Sequence, residues 1–246
     1  MASTTTTPRQ DSNPAALAEL VNAGSAALSD GNLRLALDKF EAVVMAFPER
    51  PEGHNNLGAL YSSIGEFGKA EACFDRVLAI LPDNANILYN RGVVRSRLEK
   101  FDSACHDFTA VLQLTPEDPD ALNNLGVAAF MQGRLAEARD HFTRALAARP
   151  DYTNALLNHI DLECAAGNTP AAVRMCETFL ARTPNLEVRR KHLELLSSGC
   201  REGLEKASLA AESILAAEAA NPEVRAELGR LKQARSLWAS AAVATF

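Results

Sequence analysis

Five asparagines, Asn22, Asn56, Asn90, Asn124 and Asn158, return at intervals of 34 residues in a chain of 246. A carboxamide carries one acceptor oxygen and two donor hydrogens. A row of them can grip successive peptide units of a bound strand by N–H and C=O together, whatever that strand's side chains. Asn inside a helix costs roughly half a kcal/mol against Ala, so neither helix propensity nor apolar packing explains its return. The competing use is structural: the same amides bonding across to neighbouring segments and stiffening them. Other residue types are not arranged for chemistry. His54, His106, His141, His159 and His192 form no His-Glu-x-x-His pattern and no metal spacing with a cysteine. Cys105 and His106 are adjacent and point to different sides of a helix. No Gly-rich loop of the phosphate-binding kind is present, because the glycines recur as turns. An enzyme, a cofactor and a metal site are therefore not expected.

The elements that carry the asparagines follow the same step. Pro48, Pro82, Pro116, Pro150 and Pro184 are 34 apart, as are Ala36, Ala70, Ala104, Ala138 and Ala172. Phe40, Phe74, Phe108 and Phe142 keep the step, with Cys176 in the fifth copy. Gly24, Gly58, Gly92 and Gly126 keep it too, with Ile160 in the fifth. Each copy reads as two helices. Gly31, Gly65, Gly133 and Gly167 supply the left-handed turn between them. The recurring Pro stops the second helix, since its ring and missing N–H cannot continue the ladder. Gly58 and Ala70 let two backbones approach, and the Phe fills the space between neighbouring pairs.

This pattern resembles the tetratricopeptide repeat, a 34-residue helix–turn–helix unit, through Leu57-Gly58-x-x-Tyr61, Gly65, Ala70, Phe74 and Pro82. The resemblance implies an all-α, right-handed α-solenoid. Five copies cover 17–50, 51–84, 85–118, 119–152 and 153–186, after a disordered tail over 1–15. Residues 187–222 read as a degenerate sixth repeat, with a helix from about Leu186 carrying Val188, His192, Leu193 and Leu196. Residues 223–246 read as a capping helix and tail that cover the end of the stack. Arg91 and Arg95 depart from the expected apolar pair. The fifth copy departs with His159, Ile160 and Glu163, and is expected to pack less regularly.

The resemblance also implies that first helices line a concave surface. At about 100° per residue, Leu88, Gly92 and Arg95 share the packed side of their helix. Asn86, Asn90, Val93 and Arg97 lie nearly opposite. The asparagine column thus falls on the free face. It is similar to the asparagine ladder in the tetratricopeptide superhelix of the O-linked N-acetylglucosamine transferases, a likeness that covers the repeat region only. Stacked helices lie about 8–10 Å apart and an extended peptide rises about 3.3 Å per residue, so one rung meets roughly every third residue. A hydrogen bond nets about 0.5–1.5 kcal/mol while association costs several, so side-chain pockets must add to the rungs. Candidates on the same face are Asn55, Tyr89, Asn123, Leu157, Val93, Val127, Arg97, Phe130 and Met131. Glu52, Asp120 and Asp161 give the groove acidic character, with Arg97 as the nearest counter-charge, which favours a partner segment that is both basic and apolar. The Lys-Asn-Arg clamp of chaperone-binding tetratricopeptide domains lacks its Lys here.

Composition narrows the partner class. Lys plus Arg is 25 against 31 Asp plus Glu, a net charge of −6, and 47% of residues are hydrophobic. That balance argues against nucleic acid, which needs dense cationic side chains, and against an anionic membrane. No run approaches the ~18–20 apolar residues of a spanning helix. The N-terminal Ser/Thr-rich stretch has no apolar core for a secretory signal. The odd set Cys73, Cys105, Cys164, Cys176 and Cys200, without a Cys-x-x-Cys, fits reduced thiols in the cytoplasm. The expected function is an adaptor or scaffold that holds an extended segment of another protein. The alternative is a self-assembling scaffold, a homo-oligomer whose groove receives a neighbouring subunit's terminal segment.

Overall fold

Several helix starts carry a local signal that the computed structural model realises. The model describes residues 14–197, with isolated positions 209, 226, 229, 230 and 233 beyond. Among the described residues there are eleven helices and no strand: α1 (Pro14–Ser29), α2 (Leu33–Ala46), α3 (Pro51–Ser63), α4 (Phe67–Ile80), α5 (Ala85–Arg97), α6 (Phe101–Leu114), α7 (Pro119–Met131), α8 (Leu135–Ala148), α9 (Thr153–Ala165), α10 (Thr169–Leu180) and α11 (Leu186–Ser197). Pro51 and Pro119 stand at the first turns of α3 and α7, where a missing N–H is harmless. The side chains of Asn84 and Asp118 cap α5 and α7, accepting from Ile87 N at 3.2 Å and Ala121 N at 2.8 Å. Gly31, Gly65, Gly133 and Gly167 all take positive φ, from 74° to 81°, in the turns after the first helices. In the third copy the same place is held by Glu99, at φ 58°.

The chain forms two compact units, Met1–Arg134 and Leu135–Phe246. α1–α7 belong to the first and α8–α11 to the second. In the first unit each even helix packs on the odd helices before and after it, while α3 touches α5 and α5 touches α7. In the second, α9 packs on α8 and α10 and touches α11. α1 takes up the last two residues of the segment expected to be an unstructured tail, and 1–13 lie outside the described residues. α11 begins where the sixth copy was expected to begin and buries Val188, His192, Leu193 and Leu196. The remainder of that copy and the expected cap at 223–246 lie outside the described residues, isolated positions apart.

The core is the periodic one. Phe40, Phe74, Phe108 and Phe142 are at most 1% exposed, each worth about 1.5–3 kcal/mol by burial. In the first unit the rings of Phe40, Phe74 and Phe108 each enter the notch left by the glycine of their own hairpin. A Cβ on Gly58 would lie 2.7 Å from Phe74, and one on Gly92 would lie 2.7 Å from Phe108. Phe74 and Phe108 also join one cluster with Ile87, Leu88 and Leu125, so the rings bridge successive copies as well. In the fifth copy Ile160 and Cys176 are both fully buried in a single cluster. α9 keeps the 13-residue length of α3, α5 and α7, and α10, with 12 residues, is two shorter than α8. The fifth copy therefore keeps the two-helix arrangement, with Ile160 and Cys176 in place of the glycine and phenylalanine of earlier copies.

Arg91 and Arg95 are explained by carboxylates placed to meet them. Arg91 donates to Asp107 through Nε at 3.0 Å and Nη2 at 2.7 Å, and to Asp75 at 2.7 Å. Arg95 donates to Asp107 and Glu71, both at 2.9 Å. The Asp107 side chain is wholly buried. Burial opposes the Arg91 charge, but Asp107 and Asp75 outweigh it and raise its pKa. Burial likewise pushes Glu71 up, while hydrogen bonds from Lys100 and Arg95 pull it down further, leaving it below the usual carboxylate range. Two repeats on, the signs invert. Arg139 on α8 donates to Glu163 on α9 at 2.5 Å, and Asn168 joins at 2.9 Å. The Arg139 hydrogen bond holds Glu163 low against its burial.

Candidate functional site

α1, α3, α5 and α7 present the asparagine column within the first unit. Asn22 and Asn90 are exposed, and Asn56 and Asn124 are half-buried. Among the described residues Asn22, Asn56 and Asn90 make no side-chain hydrogen bond, which leaves their amides open to solvent or a ligand. Leu88 and Gly92 are buried, whereas Asn86 and Arg97 are exposed and Val93 is half-buried, so the two faces of α5 divide as the helical spacing requires. Asn124 differs. Its Nδ2 donates to the Tyr89 hydroxyl at 2.9 Å and to the Asp120 carbonyl at 2.9 Å. Both donor hydrogens are used, and only Oδ1 remains to contact a guest. Tyr89 stands edge-on to Phe108, with centroids 5.8 Å apart, and so links the free face to the core. In the second unit Asn158 lies half-buried on α9, beside half-buried Leu157.

The other candidates divide. Asn55 and Val127 are half-buried. Asn123 is only 6% exposed and belongs to the packed interior of α7 rather than to an open surface. Phe130 is half-buried and Met131 is 62% exposed at the end of α7. The acidic character is partly spent locally. Glu52 pairs with Arg50 at 2.7 Å and Asp161 with Lys191 at 2.9 Å. The first unit also has a depression of about 320 Å³ between α5 and α7, lined by Asn86, Tyr89, Val111, Thr115, Asp118 and Asp120. Sequence spacing cannot reveal this depression, because residues far apart in the chain close it. Arg97 makes no ion pair among the described residues.

Among the described residues no group of three or more His, Cys, Asp or Glu is placed to hold a metal ion. Burial pushes the Cys73 thiol to about 11 and Cys176 to about 12, so neither supplies thiolate near neutrality. No helix is long and apolar enough to cross a membrane.

Three models of the tetratricopeptide repeat match the sequence, over residues 51–84, 89–153 and 129–192, and together they cover more than half of it. The chain belongs to the tetratricopeptide repeat family. No relative among the curated proteins matches its sequence. Solved tetratricopeptide structures share the fold. The type IV pilus biogenesis factor PilW is 19% identical with a TM-score of 0.68, over 88% of this chain and 100% of that one. MamA from Desulfovibrio magneticus RS-1 is 19% identical with a TM-score of 0.64, over 71% and 96%. YrrB, described as a tetratricopeptide protein with an unusual peptide-binding site, is 19% identical with a TM-score of 0.60, over 74% and 91%.

Proposed function

We propose that this tetratricopeptide protein is an interaction scaffold that holds an extended segment of a partner protein on the asparagine-bearing face of its first helices. The observation that carries the reading is the pair Asn56 and Asn90. They stand on neighbouring helices, one repeat apart, with carboxamides that no side chain or backbone group of the described residues engages. Packing does not account for them and helix propensity disfavours them. They suit a guest bound through its backbone. Asn124 acts as an acceptor held in place by Tyr89, so the rungs are not equivalent. The depression beside Tyr89, with the Asp118 carboxylate in its lining, suits a Lys or Arg of the guest. YrrB gives a precedent for peptide binding on this fold.

The test compares the native protein with Asn56→Ala plus Asn90→Ala, by affinity capture read by mass spectrometry and then by titration of a captured segment. Affinity falls at least roughly tenfold, the equivalent of about 1.4 kcal/mol, with helicity unchanged. N-methylation of the guest backbone opposite the rungs weakens binding, while changes to the side chains there do not. An affinity untouched by the double substitution rejects the reading.

A further inference from the structure

The second unit carries a larger cavity than the equivalent place in the first unit. Between α8 and α10, above α9, a cleft of about 720 Å³ is walled by Leu146, Leu156, Met175 and Phe179. The matching cleft between α4 and α6, two repeats earlier, measures about 410 Å³. The difference follows from the sequence. In the earlier cleft Arg91 reaches across to Asp75 and Asp107. In the later one the same three positions are His159, Thr143 and Met175. The ion pairs of Arg91 with Asp75 and Asp107 have no counterpart there, and nothing of equal size replaces them, although the inverted Arg139–Glu163 pair remains. His159 leans on Phe142, with centroids 6.0 Å apart, and its Nδ1 is buried without a hydrogen-bond partner.

The mouth changes as well. His106 and Leu114 of the earlier cleft become Arg174 and Arg182. Both arginines are exposed, and neither makes an ion pair among the described residues. Asp151 is the one carboxylate in the lining. Two unpaired guanidiniums over an apolar cleft form a complementary surface for a carboxylate next to a bulky apolar group. The volume is within the ~300–1,000 Å³ typical of ligand sites. The cleft is partly open to solvent, which suits a side chain of a longer segment.

We infer that the α8–α10 cleft is a second docking site, for a segment of another protein that carries a bulky apolar side chain flanked by Asp or Glu. It is independent of the asparagine face and of opposite charge preference, so the protein would hold two chemically different segments at once.

The test uses the 246-residue chain and a fluorescein-labelled, capped peptide Gly-Asp-Phe-Leu-Asp-Gly, read by anisotropy. Two controls carry Lys for Asp or Ala for Phe and Leu. The acidic apolar peptide saturates and binds roughly tenfold or more tighter than either control. Arg174→Glu plus Arg182→Glu removes that advantage, and so does Thr178→Phe, which fills the cleft. Circular dichroism of each variant matches the native chain. Asn56→Ala plus Asn90→Ala leaves peptide binding unchanged, which separates this site from the asparagine face. Equal binding of the Lys control, undiminished binding by both cleft variants, or no saturable binding to the native chain overturns the proposal.

Discussion

Ile160 and Cys176 occupy, fully buried, the two places where the earlier repeats carry a glycine and a phenylalanine. The large side chain has moved from the second helix to the first, and the small one has moved the other way. Such an exchange conserves volume, and only its halves are costly. Cys176→Phe alone brings a ring against Ile160 and overpacks the core by about 1–3 kcal/mol or more. Ile160→Gly alone leaves a void and a helix glycine, a loss of about 3–5 kcal/mol. The double substitution rebuilds the pair seen at Gly92 and Phe108 and recovers most of both losses. Urea midpoints of the four proteins measure the coupling, and purely additive losses would refute it.

The fold was largely legible because its determinants are local and periodic. Glycine turns and the proline stop act within a few residues of their helices, and they return at the same step. The asparagine column was legible for the same reason. Contacts that join residues from different copies were not. Arg91 and Arg95 read as faults in an apolar column until Asp107, Asp75 and Glu71 are brought beside them. Asn123 read as a free amide because helical spacing gives an angle and not the neighbour that covers it. The α8–α10 cleft depends on what is missing at Thr143, His159 and Met175, and a missing contact leaves no mark in a single column.

Asp107 is the carboxylate on which both arginines converge, and it has no access to water. Breaking a buried pair by removing one partner leaves the other charge uncompensated, at about 3–5 kcal/mol. Asp107→Leu therefore destabilises α4–α6 by several kcal/mol, seen as faster amide exchange in those helices. Arg91→Leu, Arg95→Tyr and Asp107→Cys together install the residues of the second copy, Leu57, Tyr61 and Cys73, which pack around apolar neighbours. The triple variant is more stable than Asp107→Leu. If it is equally unstable, the network contributes more than the cost of leaving its charges unpaired.

Glu99 occupies a left-handed turn, φ 58°, that four other copies assign to glycine. An L-residue there costs about 1–2 kcal/mol, and the turn bond from Lys100 N to Arg95 O, 2.9 Å, is made without any help from the Glu99 side chain. Glu99→Gly should raise the thermal midpoint by a few degrees, equivalent to about 1 kcal/mol. The mirror substitution, Gly65→Ala at φ 81°, should lower it by a similar amount. An unchanged midpoint for Glu99→Gly would mean that chain entropy gained in the unfolded state cancels the relief.

Acid should unfold the protein in two stages. Burial holds His54, His159 and His192 below their ordinary 6.5, with Arg76 adding to the effect at His54 and the Glu163 and Glu177 carboxylates opposing it at His159 and His192. The unfolded chain takes up these protons near pH 6.5 and the folded chain only lower. Between those values the unfolded state binds more protons, so stability declines as pH falls through 6.5 and levels off below the folded values. Glu71 and Glu163 also have depressed folded values, against an ordinary 4.5. Their contribution is complete above 4.5 and is lost as pH falls through the folded pKa. Urea midpoints between about pH 8 and pH 3 should therefore show a decline beginning near 6.5 and a second below 4.5. His54→Gln, His159→Gln and His192→Gln together should flatten the first and leave the second. A native profile level down to 4.5 would show that these imidazoles take up protons as readily in the folded protein as in the unfolded chain.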